Sequence, residues 1–368
     1  MNKYKVSFCT TCMNRLQHLS KTLISNINDN TGYENLEFIL LDYNSSDGLE
    51  EFINKEFDLY IKTGRLIYYR TTEPEFYNMS HSRNLAFKLS SGDIICNIDA
   101  DNFTGKGFAE YVNAIFNENN NIFLSTHDDK LSLKKDVLGR ICVKKKDFFT
   151  VGGYDEAMQH YGFDDYDFAN RLIMSGVAKQ QIENPIFLEA ILHSNKERIS
   201  NGIDDNNLQK LLIKYHSPSM SELIFLFDTK VFKRATMVNN YAFNATSLSS
   251  VKRSTEFDFS IMEEDWIKGE WKECGNTIQL LTNLNCTEEI EFIDSIDGSL
   301  LQFNEETKYY YVIKNPNTIR DAIFFLNQLS NRLIMEKNRF NKRTKVNQSG
   351  FGKAVVYRNF SSHPLLIA

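Results

Sequence analysis

Carboxylates set at short intervals dominate the chemistry that this chain of 368 residues could perform. Asp99 and Asp101 stand in Asn97-Ile98-Asp99-Ala100-Asp101-Asn102, directly after the β-prone run Ile94-Ile95-Cys96. Residues two apart on an extended strand point the same way. Two carboxylates sharing a small space repel each other unless a proton or a cation intervenes. A second acidic cluster, Asp164-Asp165-Tyr166-Asp167, follows the turn Tyr161-Gly162-Phe163. One of these carboxylates could cap the helix whose buried face is marked by Phe168 and Leu172. Three of them exceed what capping needs, and a carboxylate at a helix start could orient a hydroxyl or remove its proton. His193 closes the apolar stretch Ile191-Leu192 and is a candidate to complete a cation site. Alone, Asp-x-Asp is more often a solvated turn and a single histidine more often structural, so the reading rests on agreement among segments.

The elements that must position these groups alternate. Val6–Thr10 reads as a strand, and Leu16, Leu19, Leu23 and Ile27 mark one face of a helix. The polar residues between them form a turn that can offer backbone donors and a helix N-terminus to phosphate. Leu36–Leu41 is a second strand, ending at Asp42, which is placed to accept a nucleoside hydrogen bond. Asp47 could do the same or cap a helix starting near Leu49. Arg65–Arg70 reads as a third strand, and a helix carrying Arg83 runs from about His81 until Gly92 breaks it. This alternation predicts an α/β fold with a mainly parallel central sheet, whose ligands bind at the carboxyl ends of its strands. Downstream, Phe108–Ile115 is helical and Ile122–Ser125 a strand. Lys144, Lys145 and Lys146 read first as a solvated loop, with contact to a donor phosphate or an anionic acceptor as the alternative, and Gly152-Gly153 as a tight loop or a point of close substrate approach.

A net charge of −6 and a pI near 5.7 argue against a nucleic-acid partner. Cys9 and Cys12 have Cys-x-x-Cys spacing, but no second close pair follows, so all six cysteines read as free thiols of a reducing compartment. The start lacks a secretory pattern, and no apolar run approaches the ~20 residues that span a bilayer. The expectation is therefore a cytoplasmic protein without a transmembrane segment. The basic stretch Lys337, Arg339, Lys342, Arg343 and Lys345 reads first as a solvated helix end. A lesser reading is contact with an anionic glycan or the inner membrane face.

Composition shifts near Ile203–Asn207, which divides the chain into residues 1–205 as a catalytic domain and a remainder. Helix-compatible spacing of Leu208, Leu211, Leu212 and Tyr215 makes 206–255 a helical linker or packing region. Residues 256–368 read as an accessory α+β domain with strands at Phe257–Ile261, Gly269–Lys272, Thr277–Leu281, Tyr309–Ile313 and Ala354–Tyr357. A helix runs from Asn317 to Met335 within it.

Taken in order, several stretches resemble the inverting family 2 glycosyltransferases and the related galactosyl- and N-acetylgalactosaminyltransferases with a GT-A fold. They are Thr10-Thr11-Cys12-Met13-Asn14-Arg15, Leu41-Asp42 through Asp47, Ser82-Arg83-Asn84, Asp99-Ala100-Asp101, Gly152-Gly153-Tyr154-Asp155-Glu156 and Gly162-Phe163-Asp164-Asp165. The resemblance covers roughly the first 200 residues. It implies that Thr10, Asn14, Arg15, Asp42, Arg83 and Asp99 bind a UDP-sugar donor. Asp101 and His193 would hold Mn²⁺ or Mg²⁺, with Asp99 a further candidate. Asp165 would be the catalytic base, while Asp164, Gly153 and Tyr154 would face the acceptor or the donor sugar. A glycan hydroxyl would be the acceptor, in surface polysaccharide synthesis. Tyr161 stands where that branch commonly has tryptophan, and Asp164 where it has glutamate, which leaves donor and acceptor identity open. The rival readings are a noncatalytic carbohydrate- or nucleotide-binding protein and a sugar-phosphate nucleotidyltransferase. No glycine-rich, lysine-containing loop near the first strand favours the latter.

Overall fold

The computed structural model describes residues 3–126, 136–217, 220–238, 267–275, 277–294 and 309–368. Two compact units emerge, one formed by Met1–Ser194 with Ile334–Ala368 and the other by Asn195–Leu333.

The first unit follows the alternation read from the sequence. Its opening half runs β1 (Val6–Cys12), α1 (Leu16–Asp29), β2 (Leu36–Tyr43), α2 (Leu49–Glu56), α3 (Asp58–Lys62), β3 (Leu66–Thr71), α4 (Met79–Leu89) and β4 (Ile94–Asn97). There follow β5 (Asn102–Phe103), α5 (Phe108–Glu118), β6 (Ile122–Ser125), β7 (Cys142–Lys144), α6 (Lys145–Thr150), α7 (Asp164–Met174), β8 (Ala178–Gln181) and β9 (Glu189–Ala190). Every residue of β1 and β2 is buried, as expected of strands covered on both faces. Phe8, Phe38 and Leu40 pack on one face with Leu19, Leu23 and Ile27 of α1. Cys9, Ile39 and Leu41 pack on the other with Leu85 and Phe87 of α4 and Phe168 of α7. Cys12 belongs to the first cluster and Cys9 to the second, so the two thiols occupy opposite faces of the sheet. Burial pushes both thiols up from their ordinary range, and all six cysteines are free.

The parallel core has the order β3-β2-β1-β4. The chain therefore leaves β1 for one side and later returns to its other side. The carboxyl ends of β1 and β4 flank that switch, the place where open α/β sheets leave a crevice. β7 pairs antiparallel with β4 on one side and with β6 on the other, and β8 joins β6 in parallel. Lys145 lies in α6 rather than in a loop, and its ammonium donates to the Ser90 carbonyl.

The far edge of the sheet comes from the end of the chain. β17 (Ala354–Arg358) pairs antiparallel with β3 and with β18 (Pro364–Ile367). Phe360 stacks on Tyr68 at 4.9 Å, and Lys88 donates to the Phe351 carbonyl at 2.6 Å. This corrects the division at residue 256, because residues 334–368 complete the first unit instead of an accessory domain. The sequence marks Ala354–Tyr357 as a strand, but nothing in its spacing names β3 as the neighbour.

The second unit begins with two short helices, α8 (Asn195–Ile199) and α9 (Ile203–Asn207). It continues as a closed barrel of β10 (Leu208–Ser217), β11 (Met220–Phe227), β12 (Val231–Val238), β13 (Lys268–Cys274), β14 (Thr277–Thr282), β15 (Thr287–Ile293) and β16 (Tyr310–Val312). The expected helical linker from residue 206 is thus wrong for its described part. Leu212 faces the barrel core with Ile224, Phe232 and Leu280. Leu211 and Ile213 face outward, under Ala322, Phe325, Leu326 and Leu329 of α10 (Pro316–Phe340). A strand buried on both faces loses its alternation, and over a few residues an apolar run fits either period. Residues 257–261, expected as a strand, lie outside the described residues. Among the described residues, no helix is long and apolar enough to cross a membrane.

Candidate active site

The turn after β4 is fixed from several directions. Ile98 donates to the Cys9 carbonyl of β1 at 2.9 Å, and Asn102 N–H closes the turn on the Asp99 carbonyl at 2.9 Å. From α1, Thr22 donates to the Ala100 carbonyl at 2.7 Å and Asn26 to the Asn102 carbonyl at 2.9 Å. With its backbone so held, the turn sends its two carboxylates different ways. Asp99 accepts from Asn97 Nδ2 at 2.8 Å and from Arg83 Nη2 at 3.0 Å. Asp101 Oδ2 lies 2.6 Å from His193 Nε2, and its Oδ1 accepts from Asn102 Nδ2 at 2.8 Å. Asp99, expected as a further cation ligand, has its Oδ1 engaged by Arg83 and Asn97 and does not belong to the Asp101–Asp136–His193 group.

Arg83, only 3% exposed on α4, gathers three acids. Besides Asp99, its Nη1 donates to Asp164 and, at 2.8 Å, to Asp165. The two aspartates are the first residues of α7, and Phe163 in the left-handed region (φ 64°) precedes them. Neither caps the helix, because the residue before the first turn is Phe163. Their negative charges still sit at the favourable end of the helix dipole. Burial raises Asp164 and lifts Asp165 well above the usual carboxylate range, against the pull of Arg83. The charges of Asp164 and Asp99 add to the upward push on Asp165. Asp99 is held below its usual range, since Arg83 and the Asn97 amide outweigh its own burial. Of the two α7 acids, Asp164 is enclosed (2% of its side chain exposed) and Asp165 is reachable (18%).

Beside this clamp, Asp101, Asp136 and His193 bring one ligand atom each within 4.8 Å of one another. His193 Nε2 is 3.4 Å from Asp136 Oδ2 as well as 2.6 Å from Asp101. The histidine follows β9, a strand that ends at Ala190 rather than running through Leu192. Ile191 N–H donates to the Asp101 carbonyl at 2.8 Å, which brings this segment against the acidic turn. The His193 ring also stacks on His18 of α1, with centroids 5.7 Å apart. One imidazole and two carboxylates form a donor set that suits a divalent cation such as Mn²⁺.

Residues 7–144 match the family described as Glycosyl transferase family 2, and residues 121–194 match the N-terminal domain of galactosyltransferase. Residues 7–144 of the first unit are thus a family 2 glycosyltransferase domain. Solved structures similar to the chain include the mannosyltransferase PcManGT from Pyrobaculum calidifontis in complex with GDP-Man and Mn²⁺. That likeness has 17% identity and a TM-score of 0.42, over 50% of this chain and 56% of that one. TarS 1–349 of S. aureus in complex with UDP gives 12% and 0.39, over 50% and 62%. Its complex with UDP-GlcNAc gives 13% and 0.38, over 53% and 64%. The chain thus spans less than two thirds of each. No curated protein sequence matches it.

Several residues that the resemblance nominates are engaged by the protein's own groups. Asp42 is fully buried, with its oxygens taken by Ser45 N–H and the Tyr68 hydroxyl, each at 2.7 Å. Tyr154 is also fully buried, stacked on Phe168 at 4.4 Å with the Arg83 guanidinium 5.4 Å from its ring centre. A side chain on Gly153 (φ 71°) would strike the Asn84 amide, so that glycine admits protein, not substrate. Asp164 is spent on Arg83. At the first turn, Thr10 is buried and Asn14 adopts φ 54°. The Asn14 amide oxygen accepts from Ser46 N–H at 2.8 Å. Arg15, half-buried, opens α1 with its carbonyl accepting from His18 and Leu19. Asp47 caps α1 from a distance, accepting from Leu16 N–H at 2.8 Å, instead of starting its own helix.

Sequence reasoning missed three residues of one turn of the glycosyltransferase domain, closed by Arg140 N–H on the Val137 carbonyl at 3.0 Å. Asp136 supplies the second acid of the His193 group. Gly139 lies so close to Asp99 and Arg83 that a side chain there would overlap both. Arg140 is fully buried, and burial pushes its guanidinium down to about 10 despite Asp99 and Asp101 nearby. It therefore remains a cation at neutral pH. The available signal is an arginine set directly before the apolar run Ile141-Cys142-Val143, where a charge that becomes buried needs a reason.

Proposed function

We propose that the glycosyltransferase domain transfers a hexosyl or N-acetylhexosaminyl group from a UDP-sugar to a glycan hydroxyl, with inversion. Asp101, Asp136 and His193 would hold Mn²⁺ or Mg²⁺. The observation that carries this reading is the pairing of the Asp101–Asp136–His193 group with a reachable, charge-clamped Asp165 at the switch-point end of the sheet. Bound there, the divalent cation would offset the negative charge gathering on the departing nucleoside diphosphate.

The residues of the chain then divide the work. Asp165 takes the acceptor hydroxyl proton as that oxygen attacks the anomeric carbon and the sugar–diphosphate bond breaks on the opposite face. A carboxyl held above its ordinary range accepts a proton more readily near neutral pH, as a general base requires. Arg83 aims Asp165 and keeps Asp164 and Asp99 from driving it away. Asp164, buried at the start of α7, anchors Arg83 and so acts through it. The acceptor is read as a growing surface polysaccharide.

Purified protein assayed for UDP release with UDP-Gal, UDP-Glc, UDP-GalNAc and UDP-GlcNAc, Mn²⁺ and an acceptor array tests this. The expected result is acceptor-dependent release from one donor, abolished in Asp165→Asn while donor binding survives. Full turnover by that variant would reject Asp165 as the base. No acceptor-dependent release from any donor would favour a carbohydrate- or nucleotide-binding protein that lacks turnover.

A further inference from the structure

Arg140 is the largest fully buried side chain of the chain to carry a charge without a carboxylate partner among the described residues. Its Nη2 donates to Asn102 Oδ1 at 3.1 Å and to the Phe103 carbonyl at 2.9 Å. The Phe108 ring covers the guanidinium from 5.5 Å. Its Nε and Nη1 have no hydrogen-bond partner among the described residues. Burying a cation on these terms is expensive, and an apolar residue of similar size would avoid the cost. The arrangement around Asn102 suggests what the charge is for.

The Asn102 amide is used at both ends. Its oxygen accepts from Arg140, and its NH₂ donates to Asp101 Oδ1 at 2.8 Å. Because a guanidinium has only donors, it dictates which end of the amide faces it. The NH₂ must then face Asp101. That bond occupies Oδ1 and leaves Oδ2 toward His193. We infer that Arg140 is a positioning residue for the cation site: acting through Asn102, it fixes which oxygen of Asp101 is presented beside His193 and Asp136. This rests on the proposed use of that group to hold a divalent cation. Outer partners that orient metal ligands typically contribute 10–100-fold to affinity.

The two substitutions that separate geometry from charge are Arg140→Lys and Asn102→Ala. Lysine keeps the positive charge but lacks the planar guanidinium whose single Nη2 reaches both Asn102 and Phe103. Asn102→Ala keeps Arg140 and removes the link. Mn²⁺ binding is measured on the full-length protein by electron paramagnetic resonance, with thermal unfolding recorded alongside. Each variant is expected to bind Mn²⁺ about 10-fold more weakly than the wild type. The double variant should be no weaker than the weaker single, because both break one relay. A purely structural role would lower the unfolding temperature and leave the Mn²⁺ affinity of the folded protein unchanged. If Arg140→Lys does not fold, Asn102→Ala alone decides. Wild-type affinity in Asn102→Ala overturns the relay while the cation site stands. Absence of Mn²⁺ binding by the wild type overturns the cation site and the relay together.

Discussion

Replacing Arg83 by methionine removes the one cation shared by three acids while nearly preserving volume. Arg83 and Asp164 are almost fully enclosed, at 3% and 2% side-chain exposure, and Asp165 is 18% exposed. Asp99, at 31%, has solvent to fall back on and contributes little to the loss. Removing one partner of a buried ion pair costs about 3–5 kcal/mol, because the other charge is left uncompensated. That is a large share of the roughly 5–15 kcal/mol that holds a domain together. With a urea slope of about 3 kcal/mol per molar, the upper end of the range of about 1–3 and suited to a unit of this size, the unfolding midpoint of the first unit should fall by about 1–2 M at pH 7.5. The far-UV circular dichroism transition in urea reads the shift. The sign with pH also follows. Burial already raises Asp164 and Asp165, and losing Arg83 raises them further. The folded variant then binds more protons than its unfolded chain, so acidification toward the ordinary aspartate range near ~3.9 should shrink its deficit. A midpoint change under about 0.3 M, or a deficit that does not shrink on acidification, would refute the reasoning.

Gly139→Ala should press on Asp99 and the locked Arg83 guanidinium, at an overpacking cost of about 1–3 kcal/mol. The check is a Tm lower by several degrees with a raised KM for donor, and an unchanged Tm would count against it. Asn338→Leu removes the amide that donates to Asp155 Oδ2 at 2.8 Å and Asp167 Oδ1 at 3.0 Å, two buried carboxylates. Each orphaned acceptor costs about 1–3 kcal/mol, read as a lower circular dichroism midpoint in urea; no shift would mean that these two bonds do not stabilise the first unit. The acid limb of kcat/KM should lie above the ordinary carboxylate range, since Asp165 must lose its proton to act and burial raises it. Asp164→Asn removes a like charge and should move that limb to lower pH; a shift upward would be the wrong sign.

The parallel core was legible because its strands are short, apolar and separated by clear helical periods, as in β1, α1 and β2. The acidic turn and α7 were legible from local spacing alone. Their pairing was not, because Arg83 meets Asp164 and Asp165 across about eighty positions, through contacts that no local pattern encodes. Asp42 and Tyr154 misled for a related reason. Residues placed beside a cleft can serve it from inside the core, and residue type does not distinguish the two. Asp136 follows the segment 127–135 and carries no periodic signature that would set it apart from a surface acid. β10 was mistaken for helix because Leu211, Leu212 and Ile213 are all buried, on two different faces, so the alternation that marks a strand is absent.

The most direct test of the central claim is anomalous scattering from a crystal grown with Mn²⁺ and UDP. The account predicts a manganese peak coordinated by Asp101, Asp136 and His193 and by the diphosphate, with Asp99 still bound to Arg83. A peak ligated by Asp99 in place of Asp136, or diphosphate bound away from this group, would contradict it.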